Sequence, residues 1–508
     1  MLKRMGIVLF IILCMLPVSS ATVKAESEII ENDETGIPDA VLYKRILKSL
    51  KKKKDDKLTR KEAEKVENLY TTSLDNIQTF RGIGCLKNLK KLDCEGIDNK
   101  ELEEIAAELP NLKWIIIRGY NEKTYSAVDP PVESRKKQID SLEPLKNMKS
   151  LAGLSVSDNN LTSLNGIEGM KNLKRLKAEN NQIVNAEGIK GLKNLKELYL
   201  SNNQIANLNG INNLTKLTYL DLSNNRLTNV KGIGSLKKLE QINLSGNSLT
   251  SVKGIEKLKK IKILPVQNNN LKSLGSIKKM KNLAQLDISR NQLDNIKGIQ
   301  SLKNLKVLYL DRNRLKKADE TAQLTKLENL SLYGNRLKKL PNLKKLKKLD
   351  SLDAEDNELK TLPDMKWFKG TDLRLKWNFL TKKEIRKKLP KSWNKNNHLS
   401  ENQKMNVKIT YLSPEKKTQI TKDTTEIVGR VSPTIIQECR PQVYLSLSNG
   451  EPIGWDGSMW TMPEADKDGI FRLDGLDLKQ YAGKEICLVL AIDYDIDRFT
   501  IDRFVVKE

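Results

Sequence analysis

The feature that most constrains this chain is a 22-residue repeat that runs from Leu151 to Leu380. Its unit reads L-x-x-L-x-L-x-x-N-x-L, and the last step is one residue shorter. A fixed period with this signature predicts stacked coils in which each coil buries its apolar edge against its neighbours. The asparagine of the unit recurs at one register: Asn159, Asn181, Asn203, Asn225, Asn247, Asn269, Asn291, Asn313, Asn335, Asn357 and Asn378.

The physics of one unit predicts the shape of the coil. Apolar and polar residues alternate in its L-x-L segment, which is typical of a short strand with one buried face. The amide of the asparagine can both donate and accept, so stacked asparagines are expected to form a buried ladder that satisfies the turn after each strand. The rest of the unit is too short for a full helix. The expected fold is therefore an α/β solenoid with a parallel concave sheet and 3-10 or short helices on its convex side.

After the unit above, the repeat continues as x-x-x-x-G-I-x-x-L. This repeat resembles that of the internalins, a family of leucine-rich repeat proteins of Gram-positive bacteria. Gly166 and Gly188 are two of the glycines at this register, where close approach of the neighbouring coil leaves no room for a Cβ atom. The resemblance implies a secreted protein-binding module without cofactors, a helical cap before the repeats and an immunoglobulin-like domain after them.

Residues 1–25 have the form of a secretory signal peptide. Lys3 and Arg4 precede an apolar run, and Ala25 ends the segment at a small-residue cleavage site. Cys14 lies within the apolar run without the small residue that a lipoprotein signal places before it, so it belongs to the discarded segment. The C-terminus shows no sorting motif. We therefore expect a secreted protein that is released or held non-covalently on the cell envelope.

The region before the repeats is predicted to cap the open end of the solenoid. After a polar leader at 26–36, the segment 37–79 shows helical patterns at Ile37–Leu50 and Leu58–Leu69. This pair resembles the EF-hand-like cap of internalins, but Lys51–Lys54 stands where calcium would need oxygen ligands. No metal site is expected there.

The solenoid itself is expected to span 80–380, with an insertion at 121–141 that contains Pro130 and Pro131. Insertions in repeat proteins are tolerated where the backbone stays solvated, so this segment should leave the solenoid as a loop. The sequence leaves open whether the loop contacts a partner.

The last part of the chain changes character. A basic junction at 381–404 is followed at 405–508 by short alternating runs with turn signals between them, which predicts a β-sandwich. The segments I-V-G-R-V-S-P and K-D-G-I-F-R-L resemble a bacterial immunoglobulin-like domain. Cys439 and Cys487 both lie in strand-like runs and could pair in an oxidising exterior, but their distance is not fixed by the sequence.

The residues between the strand leucines are expected to face solvent on the concave side, where side chains of many coils form one wall. The wall carries tyrosines and apolar residues of the kind enriched at protein interfaces, and its charge changes from basic to acidic along the array. Strand propensity alone would also place tyrosines there. The candidate protein-binding residues are Arg175, Lys177, Tyr199, Tyr219, Asp221, Ile263, Asp287, Val307, Tyr309, Asp311, Tyr333, Asp353 and Glu355.

The net charge of +26 supports a second interpretation. Most lysines lie outside the strands, where they keep repeat edges solvated or bind polyanions such as teichoic acid or glycosaminoglycan. Nucleic acid is not an expected partner, because base-stacking and groove-reading motifs are missing. The alternative function is thus a cell-envelope scaffold held by its basic outer surface.

Catalysis is not predicted. The chain has one histidine, His398, in the junction, and shows no nucleophile elbow and no phosphate-binding glycine loop. The principal hypothesis is a secreted internalin-like adhesin or virulence factor that engages a host protein, on the cell surface or inside the cell, through the concave face.

Overall fold

The computed structural model of the protein describes residues 28–72, 75–119, 137–393, 408–432, 442–448, 452–453, 465–466, 468–492 and 497–508. The predicted signal peptide and most of the predicted insertion lie outside these ranges. Cys439, Pro130 and His398 also lie outside them.

The N-terminal segment holds two helices and a short antiparallel pair of strands. Strands β1 (Ile29–Ile30) and β2 (Leu58–Thr59) pair antiparallel, and helix α1 (Ala40–Ser49) starts at Asp39, whose carboxylate accepts from the first backbone N–H groups of the helix. Helix α2 (Arg60–Ala63) starts with a capping box formed by Thr59. The prediction of a helix to Leu69 was wrong, because Asn68–Tyr70 instead pairs as a strand with the first coil.

The side chain of Lys52 bridges across the loop between α1 and α2. The Lys52 ammonium donates to the backbone oxygen of Lys57 at 2.8 Å and to the carboxylate of Glu62 at 2.6 Å. The hydrogen bond from Lys52 lowers the pKa of Glu62 to about 2. The ammonium of Lys52 thus forms an ion pair with the Glu62 carboxylate of α2.

Parallel strands, one per coil, form the concave wall in two sheets. The first sheet begins before the predicted boundary at residue 80, and it ends at β10. The break between β10 and β11 falls at Pro265, which has no N–H to donate to the preceding strand. The first sheet contains β3 (Asn68–Tyr70), β4 (Lys91–Glu95), β5 (Trp114–Arg118), β6 (Gly153–Ser155), β7 (Arg175–Lys177), β8 (Glu197–Tyr199), β9 (Tyr219–Asp221) and β10 (Gln241–Asn243); the second contains β11 (Ile263–Pro265), β12 (Gln285–Asp287), β13 (Val307–Tyr309), β14 (Asn329–Ser331), β15 (Ser351–Asp353) and β16 (Asp372–Arg374).

The convex side carries short 3-10 turns such as Ile233–Ser235 and Ile255–Lys257, and helix α3 (Asn99–Glu108) lies in an early irregular coil. Leucine and isoleucine from both sides of the coil fill one continuous core. Leucine-rich repeats in a solenoid with a parallel concave sheet are therefore confirmed.

The side chains of the repeat asparagines hydrogen-bond each coil to the one before it. The Asn291 Nδ2 donates to the carbonyls of Val266, Ile288 and Ser289 at 3.0–3.2 Å, and its Oδ1 accepts from the backbone N–H of Leu271 at 2.9 Å. The Asn291 side chain is fully buried. The other ten asparagines of the register donate in the same way, so one buried amide serves backbone groups of two coils.

Close packing between coils accounts for the glycine register. A Cβ atom on Gly188 would lie 2.2 Å from the carbonyl oxygen of Leu164, and one on Gly210 would lie 1.9 Å from that of Ala186. Gly210 also has a φ of +81°, which side chains rarely adopt.

The described end of the insertion belongs to the core. Ile139 is buried, and its backbone N–H donates to Oδ1 of Asn159 at 3.0 Å, as Leu161 does to Asn181 in the next coil. The chain is therefore part of the solenoid core by Ile139, before the predicted end of the insertion at 141.

The C-terminal part contains a short helix, α4 (Lys382–Lys388), and two antiparallel sheets. Cys487 is a buried free cysteine whose Sγ lies 3.3 Å from Nη1 of Arg503; its predicted partner lies outside the described residues. The sheets comprise β17 (Lys408–Ser413), β18 (Ile427–Ser432) and β21 (Ile470–Leu473), and β19 (Gln442–Leu447), β20 (Pro452–Ile453), β22 (Glu485–Ile492) and β23 (Asp497–Val505).

These sheets pack on the last coils of the solenoid. Trp377, which follows β16, is 2% exposed and belongs to the apolar cluster of the C-terminal sheets. Arg336 pairs with Glu485, and the backbone N–H of Thr500 donates to Oδ1 of Asp356 at 3.2 Å. All three solenoid residues lie where the chain leaves the strands, so the C-terminal sheets cover that edge.

We predict that Asn291→Ala lowers the free energy of unfolding by roughly 3 kcal/mol, because buried backbone groups of two coils lose their partner. Asn304→Ala is the control: this exposed amide bonds the carbonyl of Lys281 at 3.0 Å, and its loss should cost less than about 1 kcal/mol. Urea unfolding followed by circular dichroism measures both. Equal losses in the two variants would contradict a special role for the buried ladder.

Candidate protein-binding surface

The candidate residues lie on or just after the strands of the wall. Twelve of the thirteen are half-buried, as expected for side chains that stand on a sheet beside similar neighbours, whereas Ile263 is 50% exposed next to the break in the sheet. The parallel register places Lys177 beside Tyr199 and Tyr199 beside Asp221. Residues far apart in sequence thus become lateral neighbours.

One cluster of the wall is built on Trp114 and Arg175. The guanidinium carbon of Arg175 lies 5.6 Å from the centre of a Trp114 ring, and its nitrogens donate to both carboxylate oxygens of Glu197 at 2.5 and 2.8 Å. A Cβ atom on Gly153, the strand residue between them in register, would lie 1.9 Å from the indole. The glycine therefore makes room for the indole to lie across the sheet.

A second cluster adjoins the first. The rings of Tyr199 and Tyr219 stack with centroids 4.5 Å apart, and the Lys177 ammonium lies 4.6 Å from the centre of the Tyr199 ring. Burial raises the pKa of Tyr219 to about 12, and it is also the main reason why the pKa of Tyr199 is raised. Both phenols therefore stay protonated at neutral pH and can donate hydrogen bonds.

Trp114, Arg175 and Lys177 of these clusters line a groove of about 550 Å³ on the first sheet, and the tyrosine pair lies next to it. Aromatic, cationic and carboxylate side chains converge on it: Trp114, Ile116, Arg118, Leu154, Ser155, Ser157, Asp158, Arg175, Lys177, Glu179, Asn180 and Ser201. Tryptophan, tyrosine and arginine are the residues that most often dominate binding energy at protein interfaces. We call this part of the surface, from Trp114 to Tyr219, the aromatic wall.

The second sheet presents half-buried acids instead. Asp311 accepts from the hydroxyl of Ser331, and from the backbone N–H of Tyr333 at 3.1 Å. Burial raises the pKa of Asp311 to about 7 and that of Asp353 to about 6, and it also raises the pKa of Asp287. The wall is thus acidic and only partly ionised in this half.

Tyr333 has a different environment from the other wall tyrosines. Its hydroxyl accepts from Nη2 of Arg312 at 3.2 Å, and burial raises its pKa, with Tyr444 of the C-terminal sheets among the nearby groups. The neighbouring Arg314 donates to the hydroxyl of Ser448 at 3.1 Å. The C-terminal sheets therefore approach this end of the wall, and Tyr333 does not form one open surface with Tyr199 and Tyr219.

Sequence reasoning missed Trp114. This residue lies in an irregular coil without the repeat asparagine, and the insertion after it hides the alignment of β5 with the regular coils. The signal that could have found it is the register of Ile115 with Leu154, which puts Trp114 and Gly153 side by side.

We predict that Asp311→Asn raises the free energy of unfolding at pH 8 by on the order of 2 kcal/mol and weakens its pH dependence between about 4 and 7. The folded carboxyl holds its proton more tightly than the unfolded one, so the native chain loses stability as pH rises through this window. Asp294→Asn, at an exposed site, is the control. Urea midpoints at several pH values test this, and parallel profiles for wild type and Asp311→Asn would contradict it.

Comparisons with known proteins agree with the observed architecture. A family model described as Leucine Rich repeats (2 copies) matches residues 171–213, 193–235 and 215–257. A search of curated proteins found no match. None of the helices in the described ranges is long and apolar enough to cross a membrane.

Several solved structures are similar to this chain. An internalin (inlF) from Listeria monocytogenes is 23% identical with a TM-score of 0.53, and the match covers 62% of this chain and 95% of that one. A leucine-rich repeat protein of Leptospira interrogans is 29% identical with a TM-score of 0.48, covering 65% and 95%. The functional domain of InlJ from Listeria monocytogenes is 16% identical with a TM-score of 0.44, covering 92% and 97%. The family-model match and the inlF structure therefore show leucine-rich repeats in an internalin-like solenoid fold.

Proposed function

We propose that this protein is a secreted, internalin-like binding module whose aromatic wall docks a folded protein, and that it acts as an adhesin or virulence-associated factor on a host protein. The docking proposal rests on one juxtaposition: Trp114 and Arg175 line the groove, and the stacked rings of Tyr199 and Tyr219 lie beside it, joined to its lining by Lys177. The role toward a host rests on the resemblance to internalins.

Contacts within the chain hold the side chains of both clusters in place. Arg175 is held by two hydrogen bonds to Glu197, and the tyrosine rings are held by stacking. Side chains that are fixed before binding lose little conformational entropy when a partner docks. A rigid sheet with fixed aromatic side chains therefore favours a folded protein partner with a complementary surface.

The two ends of the chain have separate proposed roles. The helical segment before β3 acts as the EF-hand-like cap of the solenoid. The two antiparallel sheets after α4 form an immunoglobulin-like sandwich, supported by their strand pairing and by the apolar cluster between them. Export rests on the form of residues 1–25.

The test introduces charge into the aromatic wall. Labelled full-length protein is titrated onto an array of host cell-surface ectodomains, and each saturable interaction is remeasured with Tyr199→Glu combined with Tyr219→Glu. Loss of two central aromatic side chains should weaken binding about 30-fold or more, which corresponds to at least about 2 kcal/mol.

The matched control is Val184→Glu. Val184 is 47% exposed and follows the asparagine turn, away from the groove. Wild-type affinity in the control and weak binding in the tyrosine variant support the proposal. Equal affinity of all three proteins for every bound ectodomain would contradict docking on the aromatic wall.

A further inference from the structure

A column of lysines runs along the edge where the chain enters the strands. From the coil of β6 to that of β16, the residue three or four positions before each strand is a lysine in nine of the eleven coils. We call this column the lysine edge. Threonine replaces lysine at two positions of this lysine edge, Thr215 and Thr325. The lysines are Lys149, Lys171, Lys193, Lys237, Lys259, Lys281, Lys303, Lys347 and Lys369.

All nine side chains of the lysine edge are exposed. None of them lies within 4.0 Å of a carboxylate oxygen of the described part of the chain. By contrast, Arg175 on the wall is paired with Glu197, and Lys260, the residue beside the column, is paired with Glu240. The positive charge of the lysine edge is therefore uncompensated locally.

Hydrogen bonds between coils fix the spacing of the column. The carbonyl of Lys149 accepts from Nδ2 of Asn172 at 3.1 Å, and the carbonyl of Lys171 accepts from Nδ2 of Asn194 at 2.9 Å. The same bond joins Asn304 to Lys281 at 3.0 Å. Successive Cα atoms are thus held about one strand spacing apart, roughly 4.8 Å, so ten steps give an edge of about 50 Å.

The lysine edge lies opposite the edge that the C-terminal sheets cover. Contacts of those sheets involve Arg336, Asp356 and Trp377, which follow the strands, whereas the lysines precede the strands. The column also lies beside the aromatic wall and not on it. A partner could therefore bind the lysine edge without displacing the C-terminal sheets and without covering the aromatic wall.

We propose that the lysine edge binds a linear phosphodiester polymer, of the poly(glycerol phosphate) type, laid along the solenoid axis. Binding at this edge goes beyond protein docking and does not depend on it. Each lysine offers one hydrated, flexible point charge, which suits a single phosphate better than a planar group that needs the fork of arginine. One charge per coil matches a polymer with separated charges.

Other polyanions fit less well. A densely sulfated polysaccharide carries more charge per length than a single column can neutralise. Single-stranded nucleic acid needs aromatic side chains on which bases stack, and the residues that directly follow the column positions in the chain, such as Asn172, Asn194, Lys216 and Lys238, are polar.

The experiment measures binding of the full chain to poly(glycerol phosphate) fractions of defined length by calorimetry, between about 50 and 200 mM NaCl. The edge variant combines K171Q, K193Q, K237Q and K259Q. Its affinity at about 100 mM NaCl should fall at least tenfold, and the slope of log K against log salt should become shallower by up to about 3, because four phosphate contacts are lost. Affinity for the wild type should rise with polymer length until the polymer spans the edge.

The control variant combines K44Q, K48Q, K61Q and K65Q, which removes the same charge from exposed positions of the N-terminal segment. Near-wild-type binding by the control supports the proposal. Equal losses in the two variants would show that net charge alone governs binding and would overturn it. Tighter binding to dextran sulfate, poly(dT) or vesicles of anionic phospholipid than to poly(glycerol phosphate), at equal charge concentration, would overturn the assignment of the partner. Neither variant alters the aromatic wall, so this result is independent of protein docking.

Discussion

The structure depends on how the buried backbone N–H and C=O groups find hydrogen-bond partners after each short strand. A strand of three residues leaves most of its coil without regular secondary structure, and buried N–H and C=O groups without partners are costly. The repeat asparagine supplies these partners from a side chain that is itself buried, as at Asn291 and Asn313. Since its bonds reach the preceding coil, the ladder also sets how far apart neighbouring strands lie. The spacing of the wall and of the lysine edge follows from this.

The fixed spacing lets side chains that are distant in sequence act together. Tyr199 and Tyr219 stack diagonally across two adjacent strands, because the register places Tyr219 opposite Glu197, two residues before Tyr199. The same geometry brings Asp311 close to Ser331, and burial then works against ionisation. One scaffold thus presents an ordered aromatic surface in its first sheet and partly protonated acids in its second, and the break at Pro265 separates the two.

Much of this could be predicted from the sequence where one local rule decides the outcome. Period, strand position and the asparagine register follow from the alternation of apolar residues, and the sequence placed Tyr199 and Tyr219 on the wall. Prediction failed where tertiary contacts decide. The segment after Ala63 has a helical pattern, but pairing with β4 makes Asn68–Tyr70 a strand. The environment of Tyr333 depends on how the C-terminal sheets pack, and Trp114 depends on a glycine in the next coil, neither of which periodicity reveals.

The burial of Trp377 in the C-terminal apolar cluster has a mechanical consequence. Solenoids fray from their ends, because a terminal coil has one neighbour instead of two. Here the last coil shares a tryptophan with the domain that follows, so its opening would also expose that domain's core. A pull on the C-terminus would therefore load this shared apolar contact before it separates the stacked coils.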